Sequence, residues 1–321
     1  LTDMTGIHKV FLSGTDAFEF LNHTVTKDLS KIFPGNAVYT VLLSDVGKVI
    51  DDAIVFHLDD KAKNRFKAEW FICLGAGLGL QYIQKQAKKR NLNIYYDEGL
   101  ACLLVQGPKA HDILLKIMSQ SQTRVPARFQ HVMSDFEGHP IFISRNSYSG
   151  DDGFELFVKF IGASKIWSQL IEMGATPVGF EALNIARIEA GLLFFGQDMT
   201  GNETPTELGL DFTVDCNNHY FRGKSAFLEN RKKPKIKTVG MLISPPSLLL
   251  GNEKLLINGK VNGLIRSFAR SEWLNKTIAI AHVELKYAIE GQEFSVFGDN
   301  ISTRKKTVAK ICSRRFYNQL M

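Results

Sequence analysis

The chain has 321 residues, 39 Lys+Arg against 33 Asp+Glu for a formal charge of +6, and 45% hydrophobic residues. Those proportions exclude wholesale disorder and low-complexity architecture, and the length suggests two or three domains. Cys73, Cys102, Cys216 and Cys312 are scattered without a C-x-x-C, so no disulfide framework or cysteine zinc site is expected and a cytoplasmic, reducing compartment is the better fit. No run approaches the roughly 18 apolar residues of a membrane helix. No charged stretch followed by an apolar one opens the chain either. It starts at Leu1, so a leading segment is expected to have been cleaved or trimmed.

In chain order, HKVFLS (8–13) alternates as a strand, and AFEFLNHTVT follows as a helix capped by Thr15 or Asp16. Strands at 37–44 and 48–58 flank an Asp45-Val46-Gly47 hairpin turn. A polar loop at 59–67 precedes a strand at 68–76 and a helix at 80–90. Further strands are expected at 101–108, 139–147 and 153–160, with helices at 109–119, 163–174 and 180–191. Beyond the basic stretch RKKPKIK (231–237), read as a linker, strand follows strand to the end, which predicts a small all-β domain over 238–321. The class is α+β with antiparallel pairing.

No G-x-G-x-x-G, Walker loop, H-E-x-x-H or G-x-S-x-G is present, and no metal is expected. Asp51-Asp52, in mid-strand within VIDDAIVFHL, is the first positive signal, because Asp is depleted from strands. Alternation puts Asp51 with Val49, Ala53 and Val55, and Asp52 with Ile50, Ile54 and Phe56. One carboxylate at least must lie against an apolar surface, as a functional group with a shifted pKa or held by a bulge or backbone amides.

SYSGDDGFELF (147–157) sets Glu155 among apolar neighbours, either on a solvated face or as an acceptor for a cyclic amidine edge. ARIEAGLLFFGQDM (186–199) places Arg187 and Glu189 before a glycine-ended helix and Gln197-Asp198 after a second glycine, which alone reads as a helix end with a surface ion pair. Basic stretches at 222–237 and 304–315 are solvated linker and tail, or a surface for a polyanion.

In order, KVIDDAIVFHL, ACLLVQGPKA, NSYSGDDGFEL, NIARIEAGLLFFGQDM, YFRGKSAF and VNGLIRSFARSEWLNKTIAIAHVEL resemble the successive blocks of the glycine-cleavage T-protein (aminomethyltransferase) superfamily. That superfamily includes tetrahydrofolate-dependent demethylases, such as the one acting on dimethylsulfoniopropionate. The resemblance implies a three-domain cloverleaf around a central folate channel. It divides the chain into a discontinuous folate-binding α+β domain (1–44 plus 140–230), a second α+β domain (45–139) and a C-terminal barrel-like domain (238–321). It implies Asp51 as the catalytic carboxylate and Tyr39, Tyr148, Glu155 and Arg187 as cofactor-binding residues.

The activity implied is transfer of a methyl or methylene (aminomethyl) group to tetrahydrofolate. The donor would be a small methylated molecule or a lipoyl carrier protein, with neither nucleic acid nor membrane as partner. A non-catalytic folate-binding accessory protein is the alternative. Relatives usually carry Arg where Leu183 stands and often Asn where Gly75 stands, departures that bear on the lipoyl carrier more than on folate. The block at 185–199 is closer to the demethylases, and the Lys-Gly-Cys-Tyr-x-Gly-Gln motif of the iron–sulfur-assembly relative is not found.

Overall fold

Two five-stranded antiparallel sheets and a closed six-stranded barrel make up the computed structural model, which describes residues 1–88, 90–119, 123–245, 249–298 and 307–317. The first sheet uses β2 (His8–Ser13), β3 (Ala37–Leu43), β4 (Val49–His57), β5 (Trp70–Leu74) and β6 (Asn93–Tyr96), in the order β3-β4-β5-β2-β6. Helices α1 (Ala17–Thr24), α2 (Asp60–Phe66) and α3 (Gly79–Ala87) interrupt it. The second sheet takes β1 (Thr2–Asp3) with β7 (Leu100–Gln106), β8 (His131–Phe136), β9 (His139–Ser144) and β10 (Gly153–Lys159), in the order β1-β7-β10-β9-β8. Helices α4 (Ala110–Met118) and α5 (Phe160–Glu172) accompany it.

Helices α6 (Phe180–Glu189), α7 (Pro205–Leu208) and α8 (Lys224–Arg231) then lead to the barrel. Its strands are β11 (Ile236–Ser244), β12 (Lys254–Ile257), β13 (Lys260–Ser271), β14 (Lys276–Glu284), β15 (Glu293–Phe297) and β16 (Val308–Cys312), closed in the order β11-β14-β13-β12-β15-β16. The expected α+β class with an all-β C-terminal unit is what the chain forms.

The expected division of the first two domains is not. A boundary between 44 and 45 cuts the β3–β4 hairpin, whose strands pair from Ala37↔Phe56 to Leu43↔Val49. Residues 8–96 supply the first sheet, and all of the second except β1 comes from 100–159. Residues 59–67, expected as loop, hold α2. Asp59 caps it by accepting from Ala62 N (2.8 Å), and Ala62 and Phe66, one turn apart, are buried. The linker shrinks to 232–235, because Arg231 still belongs to α8 and β11 begins at Ile236. Residues 304–306 of the second basic stretch lie outside the described residues.

Alternation along the strands decides what reaches the centre. Odd positions of β4, such as Ala53 and Val55, pack with Phe20, Leu21 and Ile83 of α1 and α3. Even positions, Ile54 and Phe56, join Phe71 of β5 in a second layer shared with Phe142 and Phe157 of the other sheet and with Tyr148. There the rings meet edge-to-face: Phe71–Phe157 centroids are 5.1 Å apart at 86°, and Phe56–Phe142 5.3 Å apart at 86°. The sheets therefore face one another across an aromatic layer. A further core joins Val41, Leu43 and Val49 to Ile188 of α6 and to Ile278 and Ile280 of the barrel.

Candidate functional site

Each sheet sends one acid toward the shared layer. On β10, Glu155 has the same parity as Phe157, whereas Phe154, Leu156 and Val158 pack into the second sheet's helical core. On β4 the even parity belongs to Asp52. A register shift between Leu42 and Leu43, opposite Ile50 and Asp51, marks a bulge immediately before the doublet.

Asp51 is fully buried, and its carboxylate is occupied by backbone. Oδ1 accepts from Asp52 N (2.9 Å) and Gly77 N (3.1 Å), and Oδ2 accepts from Gly79 N (2.9 Å). The cradle needs glycines. A Cβ at Gly79 would stand 2.6 Å from Asp51 Oδ2, one at Gly77 2.3 Å from the Ile50 carbonyl, and one at Gly75 2.3 Å from Asp52 Oδ1. Gly75 is thus the complement of the doublet in this chain. Both structural alternatives for an acid in mid-strand, a bulge and amide ligation, are realised at Asp51.

Asp52 is the acid that faces the layer. Its Oδ2 accepts from Tyr39 Oη at 2.9 Å, and its Oδ1 lies over Gly75. Burial, and then the neighbouring Asp51 charge, push it up to about 7, with the Tyr39 hydroxyl pulling the other way. Burial also raises Asp51, to about 6, against the pull of its three amides. The two titrate as a pair. Amide donors favour the charged form, so Asp51 holds the first negative charge and Asp52 is the group poised near neutrality. Of the doublet, Asp51, the expected catalytic carboxylate, is the acid ligated by backbone amides, and Asp52 is the one that faces the layer with an oxygen to spare.

Tyr39, expected to bind cofactor, lies beside Asp52, and burial together with Asp52 holds its hydroxyl protonated far above neutrality. Tyr148 adjoins the same group: its hydroxyl donates to the Leu193 carbonyl (2.9 Å), and the Asp52 charge acts on it. Glu155 is buried rather than solvated, and Oε2 accepts from Ser144 Oγ (3.2 Å) and Asn146 Nδ2 (3.3 Å). Burial raises its pKa against those two bonds.

Sequence reasoning missed Asn146, a partner of Glu155, and Gln106, which holds the backbone of Tyr148. Asn146 Oδ1 and Gln106 Nε2 are buried with no hydrogen-bond partner among the described residues. Their orientations are set by other bonds: Asn146 Nδ2 serves Glu155, and Gln106 Oε1 accepts from Tyr148 N (3.0 Å). An unpaired acceptor beside a carboxylate suits an aminopyrimidine edge, which presents adjacent N–H donors. These acceptors therefore fit a reduced pterin. A cavity of about 450 Å³ opens beside Asn146, between Arg128, Arg145 and Tyr317.

Arg187 does not join this set. It is fully buried, and its five N–H donors are spent inside the chain. Nε bonds Asn184 Oδ1 (2.8 Å). Nη1 bonds the Leu192 carbonyl (3.1 Å) and the Asp198 carboxylate. Nη2 bonds Gln197 Oε1 and Ser267 Oγ (2.8 Å each). Its expected role in holding cofactor is corrected to that of a knot between α6, the 192–198 loop and the barrel; the expected surface ion pair is likewise a buried one. Leu183 sits in the inter-sheet apolar layer.

Among the basic stretches, Arg222 pairs with Asp45 (2.7 Å), Arg231 with Asp211 (3.3 Å), and Arg314 donates to the Leu208 carbonyl (2.6 Å). All four cysteines are free, and no group of three metal-ligating side chains occurs among the described residues. No helix among them is long and apolar enough to cross a membrane.

Comparisons with known proteins bear on the fold and the family. Residues 1–218 match the family model described as GCVT N-terminal domain, and residues 237–318 match the glycine cleavage T-protein C-terminal barrel domain. The chain is 32% identical over 311 residues to a heme-dependent oxidative N-demethylase gamma subunit of Ectopseudomonas mendocina, covering 93% of this chain and 80% of that one. It is 31% identical over 281 residues to an aminomethyltransferase of Alcanivorax borkumensis, covering 88% and 77%. The crystal structure of the glycine cleavage system aminomethyltransferase T from Bartonella henselae superposes with a TM-score of 0.85 at 24% identity, over 98% of this chain and 85% of that one. With both family domains matched in order on this fold, the chain belongs to the glycine cleavage T-protein (aminomethyltransferase) family, whose members transfer a one-carbon unit to tetrahydrofolate.

Proposed function

We propose that this protein is a tetrahydrofolate-dependent one-carbon transferase in which Asp52 is the working carboxylate. The observation that carries the reading is the pair of opposed acids: Asp52 on one sheet and Glu155 on the other face the same layer, each buried or half-buried and each with hydrogen-bonding capacity left over.

Bound tetrahydrofolate would supply the nucleophilic amine that accepts the carbon. Glu155 and Asn146 would hold its aminopyrimidine edge, and Tyr148 would wall the ring. Asp52 would then orient the reacting amine and stabilise positive charge as the new bond forms. Tyr39 pins Oδ2, which leaves Oδ1 to meet a proton on the amine. The apolar layer excludes water, and fixed placement of the two reactants supplies much of the rate effect.

Relatives named as aminomethyltransferases and as an N-demethylase subunit support donors whose carbon is bound to nitrogen. A free methylated or oxidised amine and a lipoyl-borne aminomethyl group both satisfy that description. The non-catalytic reading draws on one observation: the place where relatives usually carry Arg is filled by Leu183, packed in the apolar layer.

Single-turnover transfer to tetrahydrofolate, measured with Asp52→Asn and Asp51→Asn, tests the assignment. Asp52→Asn is expected to lose transfer while still binding folate. Unchanged transfer in that variant would remove Asp52 from the chemistry, and tight folate binding without turnover on any donor would favour the accessory protein.

A further inference from the structure

Phe212 is a large apolar side chain left 64% exposed, yet the backbone that presents it is tied down on both sides. Before it, Asp211 accepts from Thr206 Oγ1 (2.8 Å) and pairs with Arg231. After it, the Thr213 carbonyl accepts from Thr26 Oγ1 (2.8 Å), which also contacts Thr40 Oγ1 (3.1 Å) on β3. Asp215 N then donates to the Thr26 carbonyl (2.9 Å), and the Asp215 carboxylate takes Lys27 Nζ (3.1 Å). These bonds fix where the exposed ring stands. The Phe212 ring lies 6.2 Å from that of Tyr39 at 29°, and Tyr39 donates to Asp52. The three side chains form a continuous path from solvent to the poised acid. Arg314, the cation whose field reaches Tyr39, is fastened to the Leu208 carbonyl.

We propose that Phe212, with Tyr39 beneath it, forms the donor-side wall of the site and recognises a donor whose transferred carbon is bonded to a positively charged nitrogen. Two aromatic rings ending on a carboxylate favour a cation over a neutral group of the same shape. The proposal rests on the assignment of Asp52 above. It extends that assignment to the second reactant and names Phe212 as a substrate-contact residue.

The test uses the full chain saturated with tetrahydrofolate and follows phenylalanine ring resonances, with Phe212 identified by its absence in Phe212→Leu. Trimethylammonium is titrated against tert-butanol, its neutral shape match. A thioether-bearing ammonium, 2-(methylthio)ethylammonium, stands in for a carrier-bound donor. Trimethylammonium or the thioether ammonium is expected to move the Phe212 signal saturably, at least threefold more tightly than tert-butanol. Whichever cation binds better identifies the source, a free amine or a carrier. Phe212→Leu is expected to lose the discrimination and Phe212→Trp to keep it, both with unchanged melting temperature. Equal binding of cation and alcohol, or full discrimination in Phe212→Leu, overturns the proposal. Folate affinity in the same samples separates the failures: loss of folate binding defeats the folate reading itself, whereas intact folate binding without cation discrimination defeats the donor wall alone.

Discussion

The Tyr39 hydroxyl donates a 2.9 Å hydrogen bond to Asp52 Oδ2, a contact that pins one oxygen of the carboxylate and opposes the upward push of burial and of Asp51 on its acidity. It favours the ionised form of a group that burial pushes up to about 7. Transfer by the carboxylate form is expected to rise with pH through a midpoint near 7. In Tyr39→Phe the midpoint moves to higher pH, and the rate at pH 7 falls roughly tenfold or more, the scale of one hydrogen bond to a charged group. A pH–rate profile of both proteins decides this; a wild-type profile flat between pH 6 and 8 would refute it.

The same burial predicts a stability effect of opposite sense. Both acids of the doublet have folded-state pKa values raised above the free carboxylate's 3.8. Their contribution to stability is therefore fullest below that value and is lost as pH rises through about 6 and 7. Asp52→Asn removes the Asp52 share while leaving Tyr39 an acceptor. Its melting temperature should exceed that of wild type at pH 8, with a smaller difference at pH 5. A constant offset across that range would show that Asp52 is not the titrating group.

Glu155 separates binding from folding. In Glu155→Gln the amide oxygen still accepts from Ser144 and Asn146, so thermal stability should change little. A charge-assisted acceptor for the aminopyrimidine edge is lost, and tetrahydrofolate affinity should fall roughly ten- to hundredfold. Calorimetry and melting curves on the same samples measure the two effects independently.

Arg187 should behave in the reverse way. Arg187→Met strands the buried Asp198 carboxylate, which retains Ser267 Oγ at 2.6 Å and Phe194 N at 3.0 Å. Removing one partner of a buried pair costs about 3–5 kcal/mol. Adding Asp198→Asn should recover part of that loss. Denaturant titration of wild type, single and double variants tests it; a fully folded, fully stable Arg187→Met that had lost only folate would restore Arg187 to the binding site.

The strand carrying the doublet was legible from its alternation, and so was the oddity of acids within it. Which acid faces the layer was not. The deciding facts are the bulge at Ile50–Asp51 and the amides of Gly77 and Gly79, reached across the sheet. A signal did exist in Gly75-Ala76-Gly77-Leu78-Gly79, three alternate glycines after a strand, which mark close backbone approach. Glu155 was legible as an acid among apolar neighbours, but its burial depends on β9 and β7 lying on either side. Arg187 looked like a helix end because its partners at 197, 198 and 267 arrive through tertiary packing. The 44/45 boundary that the resemblance implies falls inside the Asp45-Val46-Gly47 hairpin, whose pairing keeps β3 and β4 in one sheet.

The reach of Ser267 into the Arg187 knot has an architectural consequence. Residues 1–218 and 237–318 match two separate family domains, yet neither half is electrostatically complete when expressed by itself. The leading fragment would expose a guanidinium short of a hydroxyl acceptor, along with the apolar flank of Ile188; the trailing fragment would open Ile278 and Ile280 to water. Produced together from separate genes, the pieces should find each other and co-purify, and a fission variant of this enzyme would inherit its subunit contact ready-made.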